Sequence, residues 1–100
     1  MSTEPQFDEL IHAPTRLSIV ALLAAADWAD FTFVRDSLIL SDSALSKQIS
    51  TLEQAGYVTV RKTGAGRGRR THLRLSPAGR RAFTAHAAAL QQIIAAARTP

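Results

Sequence analysis

Apolar and polar residues follow one another mostly with the period of a helix, and the pattern predicts five helices and one β-hairpin. The clearest stretch begins after Ser41, where Leu45, Ile49 and Leu52 recur at i, i+4 and i+7 and form one apolar stripe. Ser41 is a favourable N-cap residue, and Gly56 stands where a left-handed residue commonly ends a helix. The sequence therefore predicts a helix with well-defined limits at both ends.

The side of this helix that faces away from the apolar stripe is polar and almost free of acid. Short hydroxyl side chains and a lysine can donate to phosphates or base edges without holding the helix away from DNA. A solvated surface helix has a similar composition, so this face alone leaves both interpretations open. The residues on this face are Ser43, Lys47, Ser50 and Gln54, with Ser46 and Thr51 at its edges.

Alternation with a period of two follows this helix and predicts a β-hairpin with a basic tip. Its inward residues are Val58 and Val60 on one strand and Leu73 and Leu75 on the other. The segment 63–70 between the strands reads TGAGRGRR, and its glycines allow the tip to approach another molecule closely. This segment precedes a strand and lacks the Lys-Ser/Thr ending of a P-loop, which argues against a nucleotide site.

The run LEQAGYV at residues 52–58, the basic hairpin and the run LSPAGR at residues 75–80 follow one another in that order. Over about residues 14–89 the chain resembles bacterial winged helix-turn-helix transcriptional regulators of the MarR/ArsR type. The resemblance implies a mainly α fold with a small β-hairpin, the wing. It also implies a recognition helix in the major groove of DNA, with the wing along the backbone or in the adjacent minor groove.

The resemblance assigns DNA-binding roles to particular residues and allows a small-molecule effector as a further partner. The matching positions on the recognition helix are Ser43, Ala44, Ser46, Lys47, Ser50 and Thr51. The matching positions on the wing are Arg61, Lys62, Arg67, Arg69 and Arg70. In this scheme the helix reads bases, while the wing mostly holds phosphates or a narrow minor groove.

The distribution of charge supports a nucleic-acid partner. The chain has a net charge of +4, yet residues 61–81 contain eight basic residues and no acid, which leaves −4 for the remainder. A uniformly basic protein could owe its charge to solubility or to membrane attraction, whereas a concentrated patch beside a polar helix is the footprint of nucleic-acid binding. Arginine supplies ten of the twelve basic residues, and its planar fork suits phosphate and guanine.

Length and composition predict a single winged helix domain over residues 1–100, with a core over 8–76 and a last helix over 77–98. No apolar run is long enough to cross a bilayer, and the first residues lack the pattern of a signal peptide. We therefore expect a cytoplasmic protein with no membrane partner. The chain contains no cysteine, which excludes disulfides and thiolate metal sites.

Three further helices are predicted before the recognition helix, over residues 7–12, 14–26 and 31–38. A frayed tail precedes them and residues 27–30 form a connection. The second helix carries apolar residues on more than one side and should be the centre of the core. The inward residues that we expect are Phe7, Leu10 and Ile11 on the first helix, Leu17, Val20, Ala21 and Ala24 on the second, and Phe33, Val34 and Leu38 on the third.

The last helix is too long to pack only on its own domain. It spans roughly 30 Å, more than twice the ~13 Å radius of gyration expected for a domain of this size. Its broad apolar stripe predicts a homodimer, with the first helix beside it; an alanine-rich helix that packs only within its own chain is the alternative. The predicted interface consists of Phe7, Phe83, Ala87, Leu90, Ile93, Ile94 and Ala97.

Catalytic and metal chemistry find little support. His12, His72 and His86 fall on different elements without the spacing of a zinc helix, and we expect ordinary surface or interface histidines. Some ArsR-type sensors bind metal on their last helix, but no acidic residue lies near His86, so we predict no metal and no cofactor. The sequence shows no nucleophile with a base and an acid at a useful spacing, and we predict no enzyme.

The aromatic residues Trp28, Phe31 and Phe33 lie close together before and within the third helix. Packing in the core is one explanation of this cluster. The other is that the rings form the wall of a small-molecule pocket near a dimer junction. The sequence leaves both explanations open.

These patterns together predict a dimeric regulator that binds double-stranded DNA at specific sequences. We expect repression, because little of the chain is left to contact polymerase. The alternative function is a winged helix that serves as a protein-interaction module with only nonspecific DNA affinity. Protein interfaces favour aromatic anchors, and the polar face of the recognition helix offers none.

Overall fold

A computed structural model describes residues 4–98 and confirms the predicted fold class, a mainly α domain with a small β-hairpin wing. The helices are α1 (Glu9–His12), α2 (Pro14–Ala24), α3 (Phe31–Ser37), α4 (Asp42–Gln54) and α5 (Pro77–Arg98). The strands are β1 (Ala29–Asp30), β2 (Val58–Thr63) and β3 (Arg70–Leu75), and a short 3-10 turn, Gly66–Gly68, lies between β2 and β3. The parts of the predicted tail and domain that fall on residues 1–3 and 99–100 lie outside the described residues.

The predicted limits of α4 and the predicted start of α5 are confirmed by their caps, whereas α1 begins at Glu9 rather than at Phe7 and α2 ends at Ala24 rather than at 26. The backbone N–H of Ala44 donates to Oγ of Ser41 at 3.1 Å, and this satisfies one free donor at the start of α4. Gly56 has φ +80°, the left-handed conformation that ends a helix at little cost in glycine. Ser76 caps α5 in the same manner as Ser41, since its Oγ accepts the N–H of Gly79 at 3.0 Å.

The sheet has the order β1-β3-β2 and is antiparallel throughout. We predicted residues 27–30 as a connection, but Ala29 and Asp30 pair with Leu73 and His72. A two-residue strand is too short to show alternation, so its pairing partner alone reveals it. Asp30 also caps α3, and hydrogen bonds from the hydroxyl and backbone N–H of Thr32 lower the pKa of its carboxyl.

The core lies where α2 meets α4 and the inner face of the sheet. The prediction that α2 is central is confirmed, although its buried residues are Ile19, Val20 and Leu23, and Ala21 is exposed. The prediction that Phe33 points inward is wrong, because its side chain is 56% exposed while Val34 is fully buried. On a two-turn helix that packs with one side only, adjacent residues point about 100° apart, and one of the two must face solvent.

The start of α5 crosses the backbone of Tyr57 at very short distance. A Cβ atom added to Gly79 would lie 2.9 Å from the carbonyl carbon of Tyr57 and would overlap its carbonyl oxygen. The N–H of Ser76 donates to that same oxygen at 3.0 Å. Only glycine permits this approach. The helix then leaves the domain, since residues 91–98 are all exposed and the molecule measures 59 × 29 × 21 Å.

The fold also corrects the expectation for His86, whereas His12 is exposed as expected. His86 is fully buried on α5, and its Nε2 lies 3.3 Å from Nδ1 of His12, at the end of α1. Neither sequence spacing nor local pattern shows this contact, because it depends on how α1 packs on α5. His72 lies apart from both, on β3, with Nε2 3.4 Å from the hydroxyl oxygen of Thr63.

Replacement of Gly79 by alanine tests the close approach. Alanine in a helix is ordinarily more stable than glycine by about 1 kcal/mol, whereas a Cβ forced against Tyr57 should cost about 1–3 kcal/mol of the free energy of unfolding. Chemical denaturation measures this quantity. Gly68→Ala is the control, since a Cβ added there would meet no atom within 4 Å and its φ is ordinary. A Gly79→Ala variant that is more stable than the native chain by about 1 kcal/mol, the ordinary helix preference of alanine, would contradict the close packing.

Candidate nucleic-acid interface

The recognition helix α4 presents its polar face to solvent. Leu45, Ile49 and Leu52 are buried, and the opposite side is exposed at Ser43, Ser46, Lys47 and Ser50. Of the other two predicted contact residues, Ala44 and Thr51 are half-buried. The hydroxyl of Thr51 donates to the carbonyl oxygen of Lys47 at 3.2 Å, so its proton is engaged within the helix.

The turn between α3 and α4 is fixed by an ion pair and by an unusual backbone conformation. Nη1 of Arg35 donates to Oδ1 of Asp42 at 2.7 Å, and its Nε donates to Asp36 at 2.9 Å. The turn lacks the glycine that is often present, and Ile39 takes the left-handed φ of +55° in its place. The side chain of Ile39 is 91% exposed.

A groove of about 760 Å³ separates α4 from the wing. Serine hydroxyls line one wall and cationic side chains line the other. Three acidic side chains, Asp30, Asp42 and Glu53, also line the groove, and Arg35 pairs with Asp42. The polar lining side chains are Asp42, Ser46, Ser50 and Glu53 from α4, Lys62, Arg67, Arg69, Arg70 and Thr71 from the wing, and Asp30, Thr32 and Arg35 from β1 and α3.

The tip of the wing is cationic and open. Every residue from 61 to 70 is exposed, and Gly64 and Gly66 take positive φ values of +79° and +57°. A Cβ on Gly64 would also overlap the carbonyl oxygen of Gly68, so the tight turn depends on glycine at that position. Arg70 makes one long ion pair with Asp30, at 3.5 Å, and its side chain stays 73% exposed.

The five predicted wing cations do not share one face. Opposed residues of an antiparallel pair lie on the same side of the sheet, so the pairing of Arg61 with His72 puts both on the outer side. Lys62 and the tip arginines border the groove instead. The guanidinium of Arg61 lies 4.2 Å from the ring centre of Trp28, with the guanidinium of Arg74 5.5 Å from the same ring.

The aromatic residues near α3 therefore have separate surroundings. Trp28 lies beneath two arginines, and one of these, Arg74, also pairs with Asp27 at 3.2 Å. Phe31 packs against the core and borders the groove, and Phe33 faces solvent. The three rings do not form one wall.

Within residues 4–98, no cluster of three or more His, Cys, Asp or Glu side chains is placed to hold a metal ion. In the same range no helix combines the length and the apolar character needed to cross a bilayer. Away from the groove, hydrogen bonds connect four titratable residues, His86, His12, Asp8 and Tyr57.

A capped helix-turn-helix, a three-stranded sheet with a cationic hairpin, and a groove between them together define a winged helix-turn-helix domain. The chain belongs to the winged helix DNA-binding domain family, whose model matches residues 15–94. Among curated proteins, the uncharacterized protein MJ0432 of Methanocaldococcus jannaschii is 27% identical over 75 residues, which are 75% of this chain and 82% of that protein.

Solved structures of transcriptional regulators share the fold. The transcriptional regulator homologue from Pyrococcus horikoshii OT3 is 25% identical, with a TM-score of 0.85 over 92% of this chain and 91% of that one. The PcaV transcriptional regulator from Streptomyces coelicolor, solved in complex with its natural ligand, is 22% identical, with a TM-score of 0.72 over 93% of this chain and 67% of that one. The zinc-responsive MarR family member ZitR of Lactococcus lactis, 15% identical, has a TM-score of 0.65 over 98% of this chain and 65% of that one.

Alanine at both Arg67 and Arg69 tests the role of the wing tip. If each arginine neutralises one phosphate, the double variant should bind all duplex sequences more weakly. The slope of log K against log salt is negative, and its magnitude should decrease by about two units. Titration of labelled duplex DNA at several salt concentrations measures the slope.

The control removes two cations elsewhere, Arg81 and Arg98, and changes the net charge by the same amount. It should leave the slope close to that of the native chain. A slope that is equally reduced in both double variants would assign the effect to total charge and contradict a specific role of the tip.

Proposed function

We propose that the protein is a transcriptional regulator of the MarR/ArsR type that binds double-stranded DNA at specific sequences as a homodimer. The observation that carries the proposal is the groove itself, because it joins an acid-poor helix face of short side chains to a cationic hairpin. These are the two surfaces that reading of bases and holding of phosphates require. A reaction would need converging catalytic groups, and the proposal therefore includes no enzymatic activity.

In this proposal the α4 wall of the groove contacts bases, and the wing contacts the DNA backbone or the minor groove. Ser43, Ser46, Lys47 and Ser50 project from α4 into the major groove, where lysine and serine can donate to base edges. Arg67, Arg69 and Lys62 hold the backbone or enter the adjacent minor groove. Ala44 and Thr51 approach DNA at the edge of the helix face. Arg61, stacked on Trp28, reaches the backbone only from the outer side of the wing.

The proposed dimer uses the exposed end of α5. Ile93 and Ile94 are 55% and 52% exposed, which is unusual for isoleucine on a helix whose first half is packed. Phe7 is 40% exposed beside the same helix. Phe83, Ala87 and Leu90 are half-buried against the domain and continue the stripe to Ala97, which is exposed. A two-fold axis here would set two recognition helices into successive major grooves, about 34–36 Å apart.

Repression is the regulatory outcome that we propose. A dimer that occupies the major groove and flanking backbone of a promoter excludes polymerase from the same DNA.

A small-molecule effector is part of the proposal, and the support for it is the likeness to PcaV, which was solved with its natural ligand. An effector that binds the free protein more tightly than the DNA-bound protein would release the operator.

Selection from random duplex DNA at two salt concentrations tests the proposal. The fragments retained at the higher salt should contain an inverted repeat with half-sites about one helical turn apart.

The second candidate function is a protein-interaction module, and the exposed side chain of Ile39 favours it. Retention at low salt alone, with no enriched sequence, would support that second function and contradict the first.

Replacement of Ile94 by glutamate tests the dimer. A carboxylate at the centre of an apolar helix pair should dissociate it, and the variant should be monomeric at concentrations where the native chain is dimeric. Sedimentation equilibrium measures the association. Gln92→Glu is the control, because it adds the same charge on the opposite side of α5 and should remain dimeric. A monomeric native chain, or a dimeric Ile94→Glu variant, would contradict the proposed interface.

A further inference from the structure

His86 is the one polar side chain that is fully buried among residues 4–98. Its ring packs against Phe7 and His12, with ring centres 4.8 and 5.3 Å apart. A buried imidazole is costly unless both of its nitrogens have partners. Both have them here: the backbone N–H of Asp8 donates to Nδ1 at 2.9 Å, and Nε2 lies 3.3 Å from Nδ1 of His12.

These partners determine where the imidazole protons are. A backbone N–H can only donate, so Nδ1 of His86 must accept and the proton of neutral His86 is on Nε2. That Nε2–H donates to Nδ1 of His12, which in turn carries its own proton on Nε2. A proton added to Nδ1 of either ring would face another N–H group. The arrangement therefore holds only while both imidazoles are neutral.

The groups nearest to His86 give little compensation for a positive charge. Burial lowers the pKa of His86, the neighbouring His12 lowers it further, and the carboxylate of Asp8 opposes both effects. That carboxylate is already engaged on both oxygens. Oδ1 accepts the N–H of Ile11 at 3.1 Å, and Oδ2 accepts the hydroxyl of Tyr57 at 2.6 Å, a hydrogen bond that raises the pKa of Tyr57.

The other elements that pack on α5 direct their charges elsewhere. Arg16 of α2 donates to the carbonyl oxygen of Leu10 at 2.6 Å and to Oε1 of Gln48 at 3.0 Å. On β3, Arg74 lies on the outer side of the sheet and pairs with Asp27. The carboxylate that favours protonation of His86 is that of Asp8, whereas Glu9, the acid on α1 itself, is exposed.

The histidine pair joins three parts of the domain. The segment before α1 is attached to α5 next to His86, since the N–H of Gln6 donates to the carbonyl oxygen of Ala85 at 3.0 Å. The carboxylate of Asp8 reaches Tyr57, which follows the end of the recognition helix and begins the hairpin. Loss of the Asp8 hydrogen bond to His86 would affect all three parts.

We propose that Asp8, His12 and His86 form a proton-sensitive latch, which holds residues 6–12 on α5 at neutral pH and releases them when the imidazole pair takes up a proton. The step is a simple proton uptake from solvent, and no bond other than N–H is formed. Phe7 and α5 belong to the proposed dimer interface, so release also weakens the dimer and its hold on DNA. This last consequence rests on the proposed function, whereas the latch itself does not.

The latch gives stability a definite dependence on pH. A histidine whose pKa is lower in the folded than in the unfolded chain binds its proton more readily after unfolding. The stabilisation is therefore complete above about pH 6.5, the ordinary value for histidine, and is lost as the pH falls below it. For one proton, the folding equilibrium constant should fall by up to about tenfold per pH unit.

Nuclear magnetic resonance of the native chain between pH 7.5 and 5.0 tests the latch without DNA. The His86 ring should titrate below about pH 6.5, and the amide signals of Gln6 and Asp8 should move or exchange faster with solvent at the same midpoint. Ordinary titration of His86 with no change at these two amides would overturn the latch.

A matched pair of variants gives a second readout. Glutamine in His86→Gln can accept the Asp8 N–H and donate to His12 without titrating, so the pH dependence of the thermal midpoint should flatten below pH 6.5. His72→Gln removes a histidine on β3 and should keep the native pH dependence. Native-like pH dependence in His86→Gln would overturn the latch, and if that variant fails to fold, the amide measurements on the native chain decide.

The failure of the latch and the failure of the proposed function are distinguishable. DNA binding at pH 7.5 tests the function alone. If the amides of Gln6 and Asp8 respond to His86 but no DNA is bound at any pH, the latch stands and the function fails. If DNA is bound at pH 7.5 and equally at pH 5.5, with unchanged amides, the function stands and the latch fails.

Discussion

The contact between the first turn of α5 and the backbone of Tyr57 holds the domain in its working arrangement. The carbonyl oxygen of Tyr57 accepts the Ser76 N–H and lies against Gly79, so the chain after α4 is held between the recognition helix and α5. Gly56 turns the chain into this contact, and β2 leaves it toward the wing. One point of close packing therefore sets the position of the helix face, the hairpin and the terminal helix relative to one another.

Features that depend on a few neighbouring residues could be predicted from the sequence. The cap at Ser41 and the left-handed Gly56 each rest on a local hydrogen bond or a local conformation. Features that depend on distant packing could not be predicted. The strand at 29–30 exists only because β3 lies beside it, and Phe33 faces solvent only because α3 packs on one side.

In the candidate site, too, local features could be predicted from the sequence and features that depend on distant packing could not. The polar face of α4 and the basic tip follow from helical and strand periodicity, and both are exposed as the sequence predicts. The distribution of the cations over two faces of the wing required the strand register, which pairs Arg61 with His72. The contact of His12 with His86 spans 74 positions and had no signal in the sequence, since neither spacing nor charge pattern links α1 to α5.

The stack of Arg61 and Arg74 on Trp28 holds two cations on the outer side of the hairpin, away from its tip. The ladder of β2 and β3 continues past the stack to the pair of Thr63 with Arg70, and residues 64–69 beyond it are all exposed. The paired part of the hairpin is thus packed on the domain, and its tip extends into solvent. If the wing binds DNA as proposed, Gly64 and Gly66, with their positive φ values, set the shape of the tip that meets a groove of sequence-dependent width.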